Sequence, residues 1–380
     1  MIVVVKIGTS SVTVPGGGID SSAIAKLASE LAGLALHHKV VVVSSGAVSA
    51  GAAVLAAVSR GAVEGGEAAW TADPALSQAL SAIGQHRLMR VYDDAFAAVG
   101  LTVGQVLLAP TDFALRGRYL HARATLLRLA EIGIVPIVNE NDAIADDEIR
   151  FGDNDRLAAL VAHLLRADLL VLLTDQAGLF SADPRTDQHA TLIEEVAEVD
   201  HELESVAGGP GSKSARGGMA SKLAAAKMAS WSGVTSVIAA ADRPQVLADV
   251  VDLVTGRRAP GEAAVGTVFM PHARQLSARK LWIAFALRPS GRLVVDEGAR
   301  RALVEQQSSL LPAGVIRIEG RFSVDDAVEI CDASGLVFAK GIAQLPSDRA
   351  ADWVGRRSSH LPEDLRAEAV HRDDLVVLVA

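Results

Sequence analysis

Residues 134–142 read IVPIVNEND, and residues 152–162 read GDNDRLAALVA. The first run is an apolar segment typical of a buried strand, and it ends in a cluster of amides and carboxylates. The second run places the same kind of cluster before an apolar segment with helical spacing. In α/β folds, polar groups at the carboxyl ends of strands lie where ligands bind. Amides and helix N–H groups suit a small anion, and carboxylates suit an ammonium group, a lysine or Mg²⁺.

Apolar segments of strand length alternate with helical patterns from residue 1 to residue 255. The predicted strands are Ile2–Ile7, Val40–Ser44, Val103–Leu108, Ile134–Asn139, Leu169–Thr174 and Ser236–Ala240. The predicted helices are Ser21–Leu36, Leu76–Ala98, Tyr119–Glu131, Asn154–Leu165, Ser221–Ser232 and Pro244–Asp252. Because the strands are almost continuously apolar, the pattern predicts an α/β fold with an open, mostly parallel sheet sandwiched by helices. Residues 58–72 and Gly208–Gly218 are predicted to be mobile loops.

The pattern changes after residue 255, where short apolar stretches are separated by turn residues. They are Leu281–Leu287, Leu293–Val295, Val315–Glu319, Ala327–Cys331 and Leu336–Ala339. This spacing predicts a small, mainly β module. We therefore expect a first domain at residues 1–258, a linker at 259–276 and a second domain with its C-terminal tail at 277–380.

Composition excludes several classes of protein. The net charge of −9 provides no basic excess for holding nucleic acid. The single cysteine, Cys331, allows no internal disulfide and no multi-cysteine zinc site. No apolar run approaches the ~20 residues of a membrane span, and no signal sequence is recognisable, so a cytoplasmic protein without membrane contact is expected.

Two further segments follow predicted strands. Lys6–Ser10 offers a lysine, a glycine and two hydroxyl groups, which suit a phosphate group, although a surface turn explains them as well. Ser44–Ala47 is either a ligand contact or the cap of a helix. The sequence contains neither a P-loop nor a Gly-x-Gly-x-x-Gly motif after the first strand.

Two later segments have the same character. Thr174–Phe180 could surround a nucleotide base and ribose, or form a plain turn. Gly217–Lys222 opens a helix, whose free N–H groups favour an anion. A lysine in a first helical turn is unfavourable for the helix dipole, which points to a ligand that offsets this cost.

Taken in order, these segments resemble the glutamate 5-kinase family, which are amino-acid kinases with a C-terminal PUA domain. The matching segments are Lys6–Ser10, Ser44–Ala47, Asn139–Asp142, Gly152–Asp155, Thr174–Asp175, Gly217–Lys222, Val294–Ala299 and Ser308–Gly314. The resemblance implies the amino-acid kinase fold, with ATP and L-glutamate bound along the C-terminal edge of the sheet. It implies transfer of phosphate to the γ-carboxylate of glutamate, the first step of proline biosynthesis.

The resemblance also implies roles for individual residues. Glutamate would contact Ser45, Asp142 and Asn154. ATP would contact Lys6, Thr174, Asp175, Arg216, Gly217, Gly218, Met219, Ala220, Ser221 and Lys222. Lys6 and Lys222 would act in catalysis, oriented by Asp155. Mg²⁺ would bridge the ATP phosphates without an assigned protein ligand.

The chain departs from the family where Ala215 and Arg216 replace small residues of the phosphate loop, and where Phe180 replaces a common tyrosine. The resemblance further implies feedback inhibition by proline and a homo-oligomer, either a dimer or a tetramer. Two alternatives stay open: another phosphotransferase of the same family, and RNA binding through the PUA domain. The nearly equal numbers of basic and acidic residues after residue 277 make nucleic acid an unfavoured partner.

Overall fold

The computed structural model describes residues 1–14, 18–58, 73–144, 154–200, 203–204, 218–259, 262–273, 275–365 and 368–378. The chain forms two compact units, Met1–Gln275 and Leu276–Ala380. Among the described residues, no helix has the length and apolar character needed to cross a membrane. The two loops predicted at residues 58–72 and Gly208–Gly218 lie almost entirely outside the described residues.

The first unit contains an eight-stranded sheet in the order β3-β4-β2-β1-β5-β7-β8-β6. Its strands are β1 Ile2–Ile7, β2 Lys39–Ser44, β3 Thr102–Leu108, β4 Ile134–Glu140, β5 Leu169–Thr174, β6 Glu195–Val196, β7 Thr235–Ala240 and β8 Gly266–Phe269. All neighbours are parallel except β7 and β8. The mostly parallel sheet and its six predicted strands are confirmed. The sequence pattern missed β6 and β8, which are too short for a clear apolar period.

The helices of this unit are α1 Thr9–Val12, α2 Ser21–Ala35, α3 Ala47–Val58, α4 Pro74–Ala97, α5 Pro110–Ala114, α6 Arg116–Glu131, α7 Asn154–Leu165, α8 Met219–Trp231 and α9 Val246–Val254. The six predicted helices are confirmed within a few residues at each end. Helix α2 packs on α4 and α9, whereas α7 packs on α6 and α8, so the helices form two groups that flank the sheet. Helix α3 was missed because its almost uniform run of alanine and valine has no polar face.

Helices α3 and α4 approach each other backbone to backbone. A Cβ atom added to Gly84 would lie 1.7 Å from the carbonyl oxygen of Ala47, and one added to Gly51 would lie 1.9 Å from that of Leu80. Only glycine fits at these two positions. Because α3 starts just after β2, this contact holds α4 close to the C-terminal edge of the sheet.

The second unit contains a five-stranded sheet in the order β10-β9-β11-β12-β13. Its elements are α10 Ala278–Leu281, a π-helix Trp282–Ala286, β9 Gly291–Val295, α11 Glu297–Gln306, β10 Val315–Gly320, β11 Ala327–Cys331, β12 Val337–Ala343, α12 Ala350–Trp353 and β13 Val370–Val377, with short 3₁₀ turns between them. The prediction of a mainly β module is confirmed.

Three details of the second unit and of the segment before it differ from the sequence pattern. Leu281–Leu287 is mostly helical rather than extended, because a short apolar run is compatible with either structure. Strand β13 was missed since it contains the polar residues His371–Asp374. The segment expected to be a linker, residues 259–276, includes β8, which pairs with β7 in the first sheet.

Candidate active site

The register of the sheet brings the chemically active segments together at one edge. Ile7 at the end of β1 pairs with Ser44 on one side and with Leu173 on the other. Val43 pairs with Val138, so Ser44 and Asn139 follow at the same level. The loops that leave β1, β2, β4 and β5 therefore start side by side, as expected for a ligand site in a parallel sheet.

Three charged side chains meet inside this edge. Both Lys6 and Lys222 form ion pairs with Asp155, the latter at 3.4 Å between Nζ and Oδ2. Relative exposure is 0% for Asp155, 2% for Lys6 and 4% for Lys222. Ser221 Oγ donates a further hydrogen bond of 2.8 Å to the carboxylate. Of these three described side chains two are cations and one is an anion, so the cluster itself carries a net positive charge in a buried place and favours an additional anion.

The pKa of Asp155 reflects the same arrangement. Burial alone would raise the pKa of its carboxyl group, because a charge is poorly solvated inside a protein. The charges of Lys6 and Lys222, together with the hydrogen bond from Ser221, outweigh burial and lower this pKa below its usual value. Asp155 is therefore ionised at neutral pH and can hold both ammonium groups in place.

Helix α8 points its N-terminus at this cluster. Gly218 is the N-cap, and as a glycine it has no side chain that could cap the first turn. Free N–H groups at a helix start attract an anion, and the dipole adds to that attraction. The position of Lys222 in the first turn, which is unfavourable for the dipole, is offset in part by its ion pair with Asp155.

A second group of polar contacts surrounds Asn154. Its Nδ2 donates to the carbonyl oxygen of Ser44, to Ser45 Oγ at 3.1 Å and to Asn139 Oδ1 at 2.7 Å. Gly46 follows with φ of 101°, a left-handed conformation that suits glycine at this turn from β2 into α3. The structure therefore brings Ser45 and Asn154 together, although 109 positions separate them.

Asp142 is supported by helix α4, which the sequence pattern did not connect with the site. Ser81 Oγ donates to Asp142 Oδ2 at 3.3 Å, and Gln85 accepts from Asn139 at 2.7 Å. Farther along α4, the hydroxyl of Tyr92 lies 2.8 Å from that of Ser44, and burial raises the pKa of Tyr92. Ser81, Gln85 and Tyr92 share one face of α4 at helical spacing. Polar side chains on a buried helix face were the sequence feature that could have connected α4 with the site.

The predicted nucleotide residues lie at the end of β5. Thr174 is buried and donates to Asp175 Oδ1 at 3.0 Å, and Asp175 is exposed. A cavity of ≈ 380 Å³ adjoins both residues and is lined also by Ser10, Lys26 and Asp242. Gly218, Met219, Ala220 and Ser221 form the start of α8. Arg216 and Gly217 lie outside the described residues, as do Gly152, Asp153 and the acidic run 146–148.

The described residues contain no group of three His, Cys, Asp or Glu side chains arranged for a metal ion.

Comparison with known proteins gives two family matches. Residues 1–240 match the amino acid kinase family, and residues 291–363 match the PUA domain. The glutamate 5-kinase of Herminiimonas arsenicoxydans is 44% identical, with 99% of this chain and 97% of that protein covered. The glutamate 5-kinases of Geobacter sulfurreducens and Mycobacterium ulcerans are 42% and 43% identical, each over 99% of this chain, with 97% and 96% of those proteins covered.

Proposed function

The chain belongs to the amino acid kinase family, and within it to the glutamate 5-kinases, and from this we infer that it phosphorylates L-glutamate with ATP. The product is L-glutamyl 5-phosphate, which enters proline biosynthesis. The observation that carries this function is the buried cluster of Lys6, Asp155 and Lys222 beside the N-terminus of α8. Its net positive charge suits a phosphoryl group in transfer.

Catalysis in this proposal is positioning and charge stabilisation. The acceptor carboxylate has a pKa of about 4.3 and is already ionised at neutral pH, so no general base is required. Lys6 and Lys222 would flank the transferring phosphoryl group and stabilise its negative charge. Asp155 would aim both ammonium groups, which is consistent with its complete burial between them.

ATP would approach along the ends of β1 and β5. The N–H groups of the first turn of α8, formed by Met219, Ala220 and Ser221 after Gly218, would receive its phosphates. Thr174 and Asp175 would contact the nucleoside, and Arg216 and Gly217 would complete the phosphate loop. Mg²⁺, when bound, would neutralise charge on the ATP phosphates.

Glutamate would lie on the other side of the cluster, over the ends of β2 and β4. Asp142 carries the charge to hold the α-ammonium group, and Ser81 supports it from α4. Asn154 and Ser45 offer further polar groups to the same amino acid. This arrangement would leave the γ-carboxylate directed at the lysine cluster.

Two further properties belong to this proposal. Proline would inhibit by binding at or near the glutamate site, because it shares the α-ammonium and α-carboxylate groups of glutamate. The active form would be a homo-oligomer, a dimer or a tetramer.

A coupled assay tests the function. Purified chain is incubated with ATP, Mg²⁺ and one acceptor at a time: glutamate, aspartate, N-acetylglutamate, carbamate or a nucleoside monophosphate. We expect glutamate alone to support rapid phosphoryl transfer, with inhibition by added proline. Preference for another acceptor would contradict the assignment of glutamate as the substrate. If no acceptor supports turnover, the first cause to test is the replacement of small family residues by Ala215 and Arg216 in the phosphate loop.

A further inference from the structure

Three side-chain amides form a hydrogen-bonded row from the sheet edge to helix α4. Asn154 Nδ2 donates to Asn139 Oδ1 at 2.7 Å, and Asn139 Nδ2 donates to Gln85 Oε1, also at 2.7 Å. None of the three residues is more than 8% exposed. The row therefore connects a predicted glutamate-binding residue with a helix that the sequence pattern left outside the site.

Backbone groups fix the direction in which these amides point. The carbonyl of Ser44 can only accept a hydrogen bond, and it accepts one from Asn154 Nδ2. The backbone N–H of Glu140 can only donate, and it donates to Asn139 Oδ1 at 2.9 Å. Asn139 therefore turns its NH₂ group toward α4 and needs an acceptor there. Gln85 supplies that acceptor with Oε1.

Gln85 is an unfavourable residue if its only task is to fill space. Its Nε2 is buried and has no hydrogen-bond partner within the described part of the chain. A buried donor without a partner lowers stability, and an apolar side chain would avoid that loss. What Gln85 contributes is an acceptor that restrains the amide of Asn139, and Asn139 in turn restrains Asn154, whose direction the Ser44 carbonyl sets.

We propose that Gln85 is a positioning residue for the amino-acid substrate, and this rests on the proposed function, in which Asn154 contacts glutamate. The NH₂ group of Asn154 is held by Ser44, Ser45 and Asn139, and no described residue donates to its Oδ1, which can therefore accept from a ligand. A hydrogen-bond acceptor at that place favours an amino acid, because its ammonium group can donate to the acceptor. A carboxylic acid that has no amino group lacks this contact. Ser81, one turn before Gln85, supports Asp142 in the same way.

Two substitutions separate orientation from packing. Gln85→Met keeps the length of the side chain and removes the acceptor, whereas Gln85→Glu keeps an acceptor for Asn139. In the full-length chain we expect Gln85→Met to raise the KM for glutamate about tenfold, and Gln85→Glu to raise it less than about threefold. The KM for ATP stays unchanged in both. Arg87→Met, at an exposed position of the same helix, is the matched control.

Selectivity gives a second readout. Glutarate is glutamate without the amino group, and wild type should prefer glutamate strongly by kcat/KM. We expect this preference to narrow in Gln85→Met, because Asn139 without its acceptor restrains Asn154 less firmly, and the Oδ1 atom that would accept from the ammonium group is then less well positioned.

The possible outcomes separate a failure of the proposed function from a failure of the role of Gln85. A wild-type chain that fails to phosphorylate glutamate would contradict the proposed function. An active wild type with an unchanged glutamate KM in Gln85→Met would overturn only the role of Gln85. Equal increases in the KM for glutamate and for ATP, with a lowered Tm in both Gln85 variants, would also overturn it and indicate a purely structural residue.

Discussion

The ammonium group of Lys222 lies 3.4 Å from the carboxylate of Asp155, and each residue lies in the first turn of its helix. The aspartate is favourable at a helix N-terminus and the lysine is not. The ion pair therefore holds a cation where the backbone alone would disfavour one. That location, beside the first turn of α8, concentrates positive charge where we propose that the phosphoryl group is transferred.

Lys222→Ala should lower kcat by about 10²–10³ while the KM for glutamate stays close to the wild-type value, because we propose that the lysine stabilises charge that develops in the transition state. Steady-state kinetics with glutamate and ATP varied separately measure both constants. The control is Lys227→Ala on the same helix, where the side chain pairs with Glu204 at 2.6 Å in a partly exposed place. Near-normal turnover of Lys222→Ala would refute its catalytic role.

Asp155→Asn should lower the free energy of unfolding by about 3–5 kcal/mol, because it leaves two buried ammonium groups without their anion. The lowered pKa of Asp155 sets the pH dependence. A carboxyl whose pKa is lower in the folded state contributes stability above its unfolded pKa of about 3.9, and that contribution is lost as the pH falls further. Denaturant titrations should thus give a constant difference between wild type and variant near neutral pH, and a shrinking one in acid. A difference that grew on acidification would contradict this.

Asp142→Ala should raise the KM for glutamate strongly and leave the KM for ATP unchanged, because the carboxylate is proposed to hold the α-ammonium group. Ser81→Ala should cause a smaller change in the same direction, since it removes one hydrogen bond of 3.3 Å from that carboxylate. Initial rates over a range of glutamate concentrations measure both effects. An unchanged KM in Asp142→Ala would refute the pose of the substrate.

Gly84→Ala should destabilise the first unit by at least ~3 kcal/mol, because overpacking against backbone cannot be relieved by a rotamer change. The new methyl group would lie 1.7 Å from the carbonyl oxygen of Ala47. Gly117→Ala is the matched control: Gly117 lies in helix α6, and a Cβ there meets nothing within 4 Å. Thermal unfolding should show a lower Tm for the first variant and an equal or slightly higher Tm for the second.

Several parts of the site could be predicted because they are local in sequence. One polar cluster follows an apolar strand and the other, a few residues later, precedes a helix, so Asn139, Asp142 and Asn154 were expected at one ligand site. The support from Ser81, Gln85 and Tyr92 was not predicted. These residues lie on a long helix whose alternation of apolar and polar residues indicates a helix but not its neighbour. Helix α3, which fixes that neighbour, has no amphipathic pattern at all.

The sequence by itself determined the alternation of strands and helices and the change to a β module, and it supplied the residues that we propose bind an amino acid and a phosphate. These features depend on short-range periodicity and on chemistry carried by single side chains. The resemblance implied that Asp155 orients Lys6 and Lys222, and the tertiary structure shows the two ion pairs. Only the tertiary structure decided that three amides form one hydrogen-bonded row from Gln85 to Asn154. Such contacts join residues far apart in the chain, and they depend on strand register and helix packing rather than on local pattern.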